Sequence, residues 1–181
     1  LELGAGLAGT LLGLVHLQNM KLAAGLEPHI RTLADTLCRS ATWQNEMCSW
    51  QMGLGENLGL LHGISGIAQS LLAAHALIDE PAYLKTTVGA LRHTDQFFLP
   101  DKNNWQDRRM KDSTHKKPSV SSSWCNGRVG MAMLRAAYLK KNEDSPIRDK
   151  TAMAADSILK SATKAMTRSG RDFCLCHGLS G

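Results

Sequence analysis

The stretch Ser123-Trp-Cys-Asn-Gly-Arg-Val-Gly130, followed by the apolar segment Met131-Ala-Met-Leu-Arg-Ala-Ala-Tyr-Leu139, decides the fold of this chain. It places a Gly-x-x-Gly turn directly before a helical pattern of apolar residues. The same turn recurs at residues 6–9, 63–66 and 178–181, and the first two of these are also followed by apolar helical segments. A unit that repeats at intervals of about 50–65 residues is typical of stacked helical pairs. The sequence therefore predicts an array of helical pairs that begin at glycine turns.

The glycines of these turns allow a positive φ angle and a close backbone approach where a helix begins. The residue before each first glycine varies along the chain, as Ala5, His62, Asn126 and His177, and the residue before that as Gly4, Leu61, Cys125 and Cys176. If the four turns lie on a common ring, these variable side chains converge at its centre and form a site. The alternative is that Gly-x-x-Gly only permits close helix packing, and we favour this interpretation for the turn at Gly6.

Three good zinc ligands, Cys125, Cys176 and His177, stand just before two of the glycine turns. Three protein ligands is the number found in catalytic zinc sites, whose fourth position stays open for water or substrate. Cys174 lies two residues before Cys176, and we interpret it as a structural residue; as a fourth ligand it would instead close the coordination sphere. The pattern predicts a zinc site.

The composition is that of a globular domain with a sizeable core, since 43% of the 181 residues are hydrophobic. The net charge is +5, and much of the positive excess lies in residues 108–117, which form either a solvated loop or a contact for an acidic peptide. Aromatic residues make up 5% of the chain and do not alternate with basic ones, so nucleic-acid binding has little support. Five cysteines without dense spacing argue against a secreted disulfide scaffold and favour a cytoplasmic, reducing compartment. The sequence contains no uninterrupted run of about 18 apolar residues, so it does not predict a membrane-spanning helix.

Helical periodicity dominates the chain. It predicts helices over residues 7–20, 27–40, 63–78, 81–98, 128–141 and 146–168. Pro81 and Pro146 suit the first turn of the fourth and sixth helices, where a missing N–H costs little. No segment shows the period-2 alternation of a β-strand. Residues 99–124 are polar, and because so long a loop in a compact domain is usually functional or disordered, we expect its end to border the active site.

Four motifs of this chain together resemble the LanC-type lanthionine synthetases. They are Trp124-Cys-x-Gly127, Cys176-His-Gly178, the run Gly59-Leu-Leu-His-Gly-Ile-Ser-Gly66, and Asn104-Trp-Gln-Asp-Arg108, which resembles an Asn-Trp-x-Asp-x-Arg segment of that family. Their order and approximate spacing agree over essentially the whole chain and are closest to the C-terminal cyclase domain of the bifunctional class II enzymes, LanM. The two cysteines with a histidine are specific to the family, whereas single glycine turns are not.

The resemblance implies an all-α fold, the α/α toroid, in which an inner ring of helices lies inside an outer ring. This chain would form a partial toroid, an incomplete double ring of helices with the Gly-x-x-Gly turns at one end. Residues 1–181 would be a single partial cyclase domain that holds about the last four repeats and is truncated at both ends. The isolated segment is then expected to fold or cyclise poorly, because half of the ring is absent.

The resemblance also assigns roles to individual residues. Cys125, Cys176 and His177 would bind zinc, and His62 falls on the catalytic histidine of the family. Glu2 falls where the family usually has an aspartate, so it keeps the carboxylate but lengthens its reach by one methylene. An arginine that often precedes the Trp-Cys motif is missing, because the residues before Trp124 read Ser-Val-Ser-Ser-Ser.

The implied activity is zinc-dependent thioether formation. A cysteine thiol of a lantibiotic-type precursor peptide would add to a dehydroalanine or dehydrobutyrine of the same peptide. A free thiol has a pKa of about 8.5 and must ionise to react, which zinc would promote; His62 would then protonate the resulting enolate. The partners would be the precursor peptide and an upstream dehydratase domain in the same chain. The alternatives are addition of glutathione to dehydro residues, or a non-catalytic toroid that zinc stabilises and that binds peptides.

Other polar residues receive weaker assignments. Asp107 and Arg108 form either an ion pair that orders the long polar segment or two surface residues. The remaining histidines receive no role, and one of them, His75, lies on an apolar helix and is interpreted as a satisfied core or boundary residue; they are His16, His29, His75, His93 and His115.

Overall fold

The computed structural model describes residues 1–52, 56–109, 118–166 and 176. Its helices are α1 (Leu7–Asn19), α2 (Glu27–Arg39), α3 (Ile64–Ile78), α4 (Pro81–Asp95), α5 (Arg128–Leu139) and α6 (Ser145–Met166). All six predicted helices are present, and their bounds differ from the predicted ones by three residues or fewer. Pro81 and Pro146 lie in the first turns of α4 and α6, as predicted.

In the part of the chain that the structure describes, four short strands interrupt the helical order. Strands β1 (Thr42–Gln44) and β2 (Met47–Ser49) form an antiparallel hairpin, and β3 (Phe98–Leu99) pairs with β4 (Asn104–Trp105). The fourth helix ends at Asp95, earlier than predicted, because residues 96–97 form a turn that leads into β3. The sequence does not reveal these strands, since two or three residues are too few to show alternation.

The helices pack in two layers. The helices that follow the glycine turns, α1, α3 and α5, lie side by side with α3 in the middle, and α2, α4 and α6 pack against them from outside. The apolar side chains at their interfaces are fully buried; they include Leu11, Ile30, Leu37, Ile64, Ile67, Leu71, Leu91 and Leu134. None of the helices within the described ranges combines the length and apolarity that a membrane crossing requires.

The three glycine turns within the described ranges have an extended backbone at their first glycine, which corrects the prediction of positive φ there; the turn at residues 178–181 lies outside the described residues. Gly6, Gly63 and Gly127 precede α1, α3 and α5 with φ angles of −124°, −137° and −125°, and any residue adopts such angles. Glycine is required there for space, because a Cβ atom would lie 2.6, 2.4 and 2.5 Å from a backbone carbonyl oxygen. At the second glycine of each of these turns the space is smaller still. A Cβ atom added at Gly9, Gly66 or Gly130 would lie 2.1, 1.9 or 2.1 Å from a backbone carbonyl oxygen. Each turn therefore folds back onto its own preceding backbone.

Substitution at the tightest of these positions should destabilise the fold. In Gly66→Ala the new methyl group would meet the carbonyl oxygen of Leu60 at 1.9 Å, so the backbone must move, at a cost of about 1–3 kcal/mol or more. Gly13→Ala is the matched control, because Gly13 lies exposed within α1 with no atom within 4 Å of an added Cβ. The free energy of unfolding of Gly13→Ala should be about 0.5–1 kcal/mol higher than that of the wild type. Urea unfolding of both variants measures the difference, and equal stabilities would contradict the proposed role of the close approach.

A buried charged network joins α4, α5, α6 and β4. The side chain of Arg135 is fully buried, and its Nη2 atom lies 2.5 Å from Asp95 Oδ1 and 2.8 Å from Thr94 Oγ1. The guanidinium lies over the ring of Trp105 at 4.2 Å, and Lys150 Nζ reaches Asp95 Oδ2 at 3.0 Å. The network fixes the Asn-Trp segment that carries Trp105 onto the helical layers.

Candidate active site

The residue two positions before each first glycine takes part in a backbone ladder across the four repeated segments. The amide of Gly4 donates to the carbonyl of Leu61 at 2.9 Å, the amide of Leu61 to the carbonyl of Cys125 at 2.8 Å, and the amide of Cys125 to the carbonyl of Cys176 at 3.3 Å. The positions that the sequence repeat relates therefore lie side by side, in chain order. They gather at the end of the fold where α1, α3 and α5 begin.

The ladder brings Cys125 and Cys176 together. Cys125 is 6% exposed, and its Sγ atom lies 3.5 Å from Ser123 Oγ and 3.3 Å from the side-chain amide of Asn126. Burial raises the pKa of the Cys125 thiol, but hydrogen bonds with Ser123, Cys176 and Asn126 outweigh burial and bring the pKa below its ordinary value. The site thus favours a thiolate at Cys125, which is the form that binds a metal ion.

The two thiols fit a zinc site. Thiolates are preferred zinc ligands, and a backbone hydrogen bond holds Cys125 and Cys176 in adjacent positions. His177, the third predicted ligand, lies outside the described residues, as does Cys174. Within the described ranges, no group of three His, Cys, Asp or Glu side chains could hold a metal ion. The described part of the chain therefore contributes two of the three predicted ligands.

Glu2 and His62 form a hydrogen-bonded pair across the first two repeated segments. The Nδ1 atom of His62 contacts Oε2 of Glu2, and the two side chains are 48% and 28% exposed. When Nδ1 donates its proton to the carboxylate, the second ring nitrogen, Nε2, is the one available for proton transfer. Because the amide of Leu61 binds the carbonyl of Cys125, His62 lies on the turn next to the cysteine pair.

The end of the long polar segment lies beside the same turn. The side-chain amide of Asn104 donates to the carbonyl of Ser121 at 2.9 Å, and the backbone amide of Asp107 donates to the carbonyl of Ser119 at 2.9 Å. This pairing places the Asn-Trp segment alongside the residues that lead into Cys125.

Asp107 and Arg108 pair with other residues and not with each other, which corrects the interpretation of an ion pair between them. Asp107 contacts Arg109 through Nε at 2.9 Å and Nη2 at 2.5 Å, whereas Arg108 Nε contacts Glu56 at 2.6 Å. The hydrogen bond from Arg109 holds the pKa of the Asp107 carboxyl below its ordinary value, although burial opposes it. With 13% of its side chain exposed, Asp107 is not a surface residue either.

Sequence reasoning missed a second ionic cluster, made of Glu56, His93 and Arg108. His93 Nε2 lies 2.5 Å from Glu56 Oε1, and Arg108 stacks on the Phe97 ring at 4.2 Å. Hydrogen bonds from His93 and Arg108 hold the pKa of the Glu56 carboxyl below its ordinary value against burial. Glu56 directly precedes Asn57, whose side chain bonds Gly59 and Asn126, so the cluster braces the segment that leads to His62. No local motif links these residues, because they are far apart in sequence.

His75 is partly buried, and its Nδ1 atom contacts the carbonyl of Glu80 at 3.1 Å, as expected for a boundary histidine.

A sequence profile of the family described as lanthionine synthetase C-like protein matches residues 1–181. The chain belongs to the lanthionine synthetase C-like family. This LanC-like chain is 27% identical over 124 residues to the lacticin 481/lactococcin biosynthesis protein LcnDR2 of Lactococcus lactis subsp. lactis, a match that covers 66% of the chain and 13% of that relative. Its structure is similar to that of nisin cyclase, with a TM-score of 0.66 and 21% identity over 99% of the chain and 48% of nisin cyclase.

The structural likeness confirms the predicted all-α fold, a partial α/α toroid of the LanC-like kind. The LanC-like chain spans less than half of the length of either relative. The roles of Glu2 and His62, the zinc ligands and the domain limits 1–181 stay predictions.

Proposed function

We propose that this LanC-like chain closes thioether rings in a lantibiotic-type precursor peptide. A cysteine thiol of the peptide would add to a dehydroalanine or dehydrobutyrine of the same peptide. The observation that carries this proposal is the adjacency of the Cys125–Cys176 pair and the Glu2–His62 pair at one end of the fold. Family membership and the names of the two relatives, a lantibiotic biosynthesis protein and nisin cyclase, support it.

Activation of the peptide thiol is the first requirement, because the thiolate is the nucleophile. Cys125, Cys176 and His177 would hold zinc, which when bound supplies a positive charge that lowers the pKa of a thiol brought to its open position. The contacts of its Sγ atom with the Ser123 hydroxyl and the Asn126 side chain keep Cys125 oriented. Cys125, Cys176 and His177 would thus form the site at which the peptide thiol loses its proton.

Proton transfer is the second requirement. As the sulfur lone pair forms a bond to the β-carbon, the electrons of the carbon–carbon double bond move toward the α-carbon and its carbonyl oxygen. The resulting enolate takes a proton at the α-carbon, and Nε2 of His62 would deliver it. Glu2 holds the ring by Nδ1, which fixes the orientation of the imidazole and leaves Nε2, the second ring nitrogen, available for proton transfer. The reaction is an isomerisation, so no atom leaves the peptide.

This absence of a mass change defines the test. The protein that contains this chain would be incubated with a dehydrated precursor peptide, and free thiols would then be alkylated. Ring closure should leave the peptide mass unchanged while one alkylation site disappears for each ring. A mass gain equal to glutathione, when glutathione is supplied, would favour addition of the small thiol instead. Bound peptide with all of its thiols still reactive would contradict a catalytic role.

His62→Asn should slow ring closure without loss of zinc. Because asparagine cannot transfer a proton, the rate is expected to fall about 100- to 10,000-fold, the usual contribution of general acid–base catalysis. Glu2→Gln should give a smaller decrease, since it keeps a hydrogen-bonding partner but removes the charge. The measurement is the rate of thiol loss, with metal content determined in parallel.

His29→Asn is the matched control for this substitution. His29 is exposed on α2, away from the glycine turns, so its replacement should leave the rate unchanged. A His62→Asn protein with wild-type rates would remove His62 from the mechanism.

A further inference from the structure

Arg109 is held by its guanidinium on Asp107. Its Nε and Nη2 atoms contact the two carboxylate oxygens at 2.9 and 2.5 Å, and its backbone amide donates to the same carboxylate at 3.2 Å. Asp107 is in turn held against the segment before Cys125, because its backbone amide donates a hydrogen bond to the carbonyl of Ser119. Since paired contacts of this kind fix both the position and the orientation of a guanidinium, the remaining Nη1 atom has a defined direction.

The Nη1 atom of Arg109 points toward the turn that contains Cys125 and Asn126. One atom of the Asn126 side-chain amide lies 3.3 Å from Cys125 Sγ and 3.1 Å from Arg109 Nη1. As the amide nitrogen it donates to the sulfur; with the amide turned over it is the oxygen and accepts from Nη1. In either orientation, Nη1 is no farther than two hydrogen-bond lengths from the Cys125 sulfur.

The positively charged side chain of Arg109 interacts electrostatically with both Cys125 and Cys176. The hydrogen bond to Asp107 raises the pKa of the guanidinium, burial lowers it, and attraction to Cys125 and Cys176 raises it further. The side chain is nevertheless 42% exposed, so a peptide that enters the site can reach it. Arg109 therefore combines a fixed orientation, closeness to the predicted zinc ligand Cys125 and access from outside.

We propose that Arg109 is a further catalytic residue, which donates a hydrogen bond to the carbonyl oxygen of the dehydro residue. This inference rests on the proposed function. As the carbon–sulfur bond forms, negative charge moves from sulfur to that oxygen, and the enolate is neutralised when the α-carbon takes its proton. A donor that is already positioned stabilises such charge without reorganisation. Because the charge is absent before addition begins, Arg109 acts on the rate of the step and not on peptide binding.

The test compares turnover with binding in the full-length protein. In Arg109→Gln, kcat for ring closure should fall about 100-fold, the usual effect of removing one donor to a developing oxyanion. The Kd of a dehydrated precursor whose cysteines are replaced by serine should stay unchanged, as should the zinc content. Arg109→Lys, which keeps the charge but not the planar fork, should give an intermediate kcat. Guanidinium ion added to Arg109→Ala should restore part of kcat, which a merely structural role would not allow.

Arg31→Gln is the matched control, because Arg31 forms an exposed ion pair with Glu27 on α2; its kcat should equal that of the wild type. Three results would each overturn the role of Arg109: an unchanged kcat in Arg109→Gln, a weakened Kd with unchanged kcat, or loss of zinc in that variant. Wild-type protein that closes no rings would contradict the proposed function itself, whereas active wild type with equally active Arg109→Gln would overturn this inference alone.

Discussion

Cys125→Ala is expected to leave the protein without zinc and to abolish ring closure. Cys125 is one of two thiols that the structure brings together, and its hydrogen bonds lower the pKa of the thiol below its ordinary value. Its loss would leave one thiolate and one imidazole, too few ligands for a catalytic zinc site. Because metal-supplied charge contributes several kcal/mol to the transition state and each 1.36 kcal/mol is tenfold in rate, the rate should fall by at least about 100-fold. Metal analysis and thiol alkylation of the peptide measure the two effects.

Cys48→Ala is the matched control for this variant. Cys48 is also buried, but its thiol bonds the carbonyl of Thr86 at 3.2 Å, and burial raises the pKa of that thiol to about 12. It therefore stays protonated and should not bind metal, so this variant should keep its zinc and its rate. Full zinc content in Cys125→Ala would remove Cys125 from the ligand set.

Asp95→Ala is expected to destabilise the fold by about 3–5 kcal/mol, because it leaves the fully buried charge of Arg135 without its partner. Such a loss is a large share of the 5–15 kcal/mol that typically holds a domain folded. Urea unfolding gives the difference directly. Replacing both residues, as in Asp95→Leu with Arg135→Met, should be less destabilising than Asp95→Ala alone, since no uncompensated charge remains.

Asp156→Ala provides the contrast. Asp156 pairs with Lys160 at 2.6 Å on α6, but the two side chains are 55% and 75% exposed, so the pair is screened by solvent and is worth at most about 1 kcal/mol. If Asp95→Ala unfolds at the same urea concentration as Asp156→Ala, the buried network does not stabilise the fold as argued.

The helices could be predicted from sequence because each carries its own signal. An apolar stripe of helical period marks α1 through α6, and Pro81 and Pro146 mark two of the starts. The glycine turns were located by their repetition, but the reason for glycine was wrong in part. A close approach between the Cα atom of Gly66 and the carbonyl of Leu60 depends on how the turn folds back, which residue spacing alone does not show.

The site was only partly predictable for a similar reason. Cys125 and His62 stand in recognisable motifs, so the repeat pointed to them. The pairing of Glu56 with His93 and Arg108 depends on contacts between residues far apart in sequence, and no local pattern carries that information. Arg108 and Arg109 are neighbours of the same type, yet one pairs with Glu56 and the other with Asp107.

The ladder through Gly4, Leu61, Cys125 and Cys176 is built from main-chain atoms alone. Amide-to-carbonyl bonds do not depend on the side chain, and every amino acid except proline can supply both partners. Glycine, leucine and cysteine accordingly occupy equivalent places without disturbing the scaffold. Architecture and chemistry are thereby separated in this fold, so that ligands could be moved from one repeat to another, in evolution or by design, with little effect on how the protein folds.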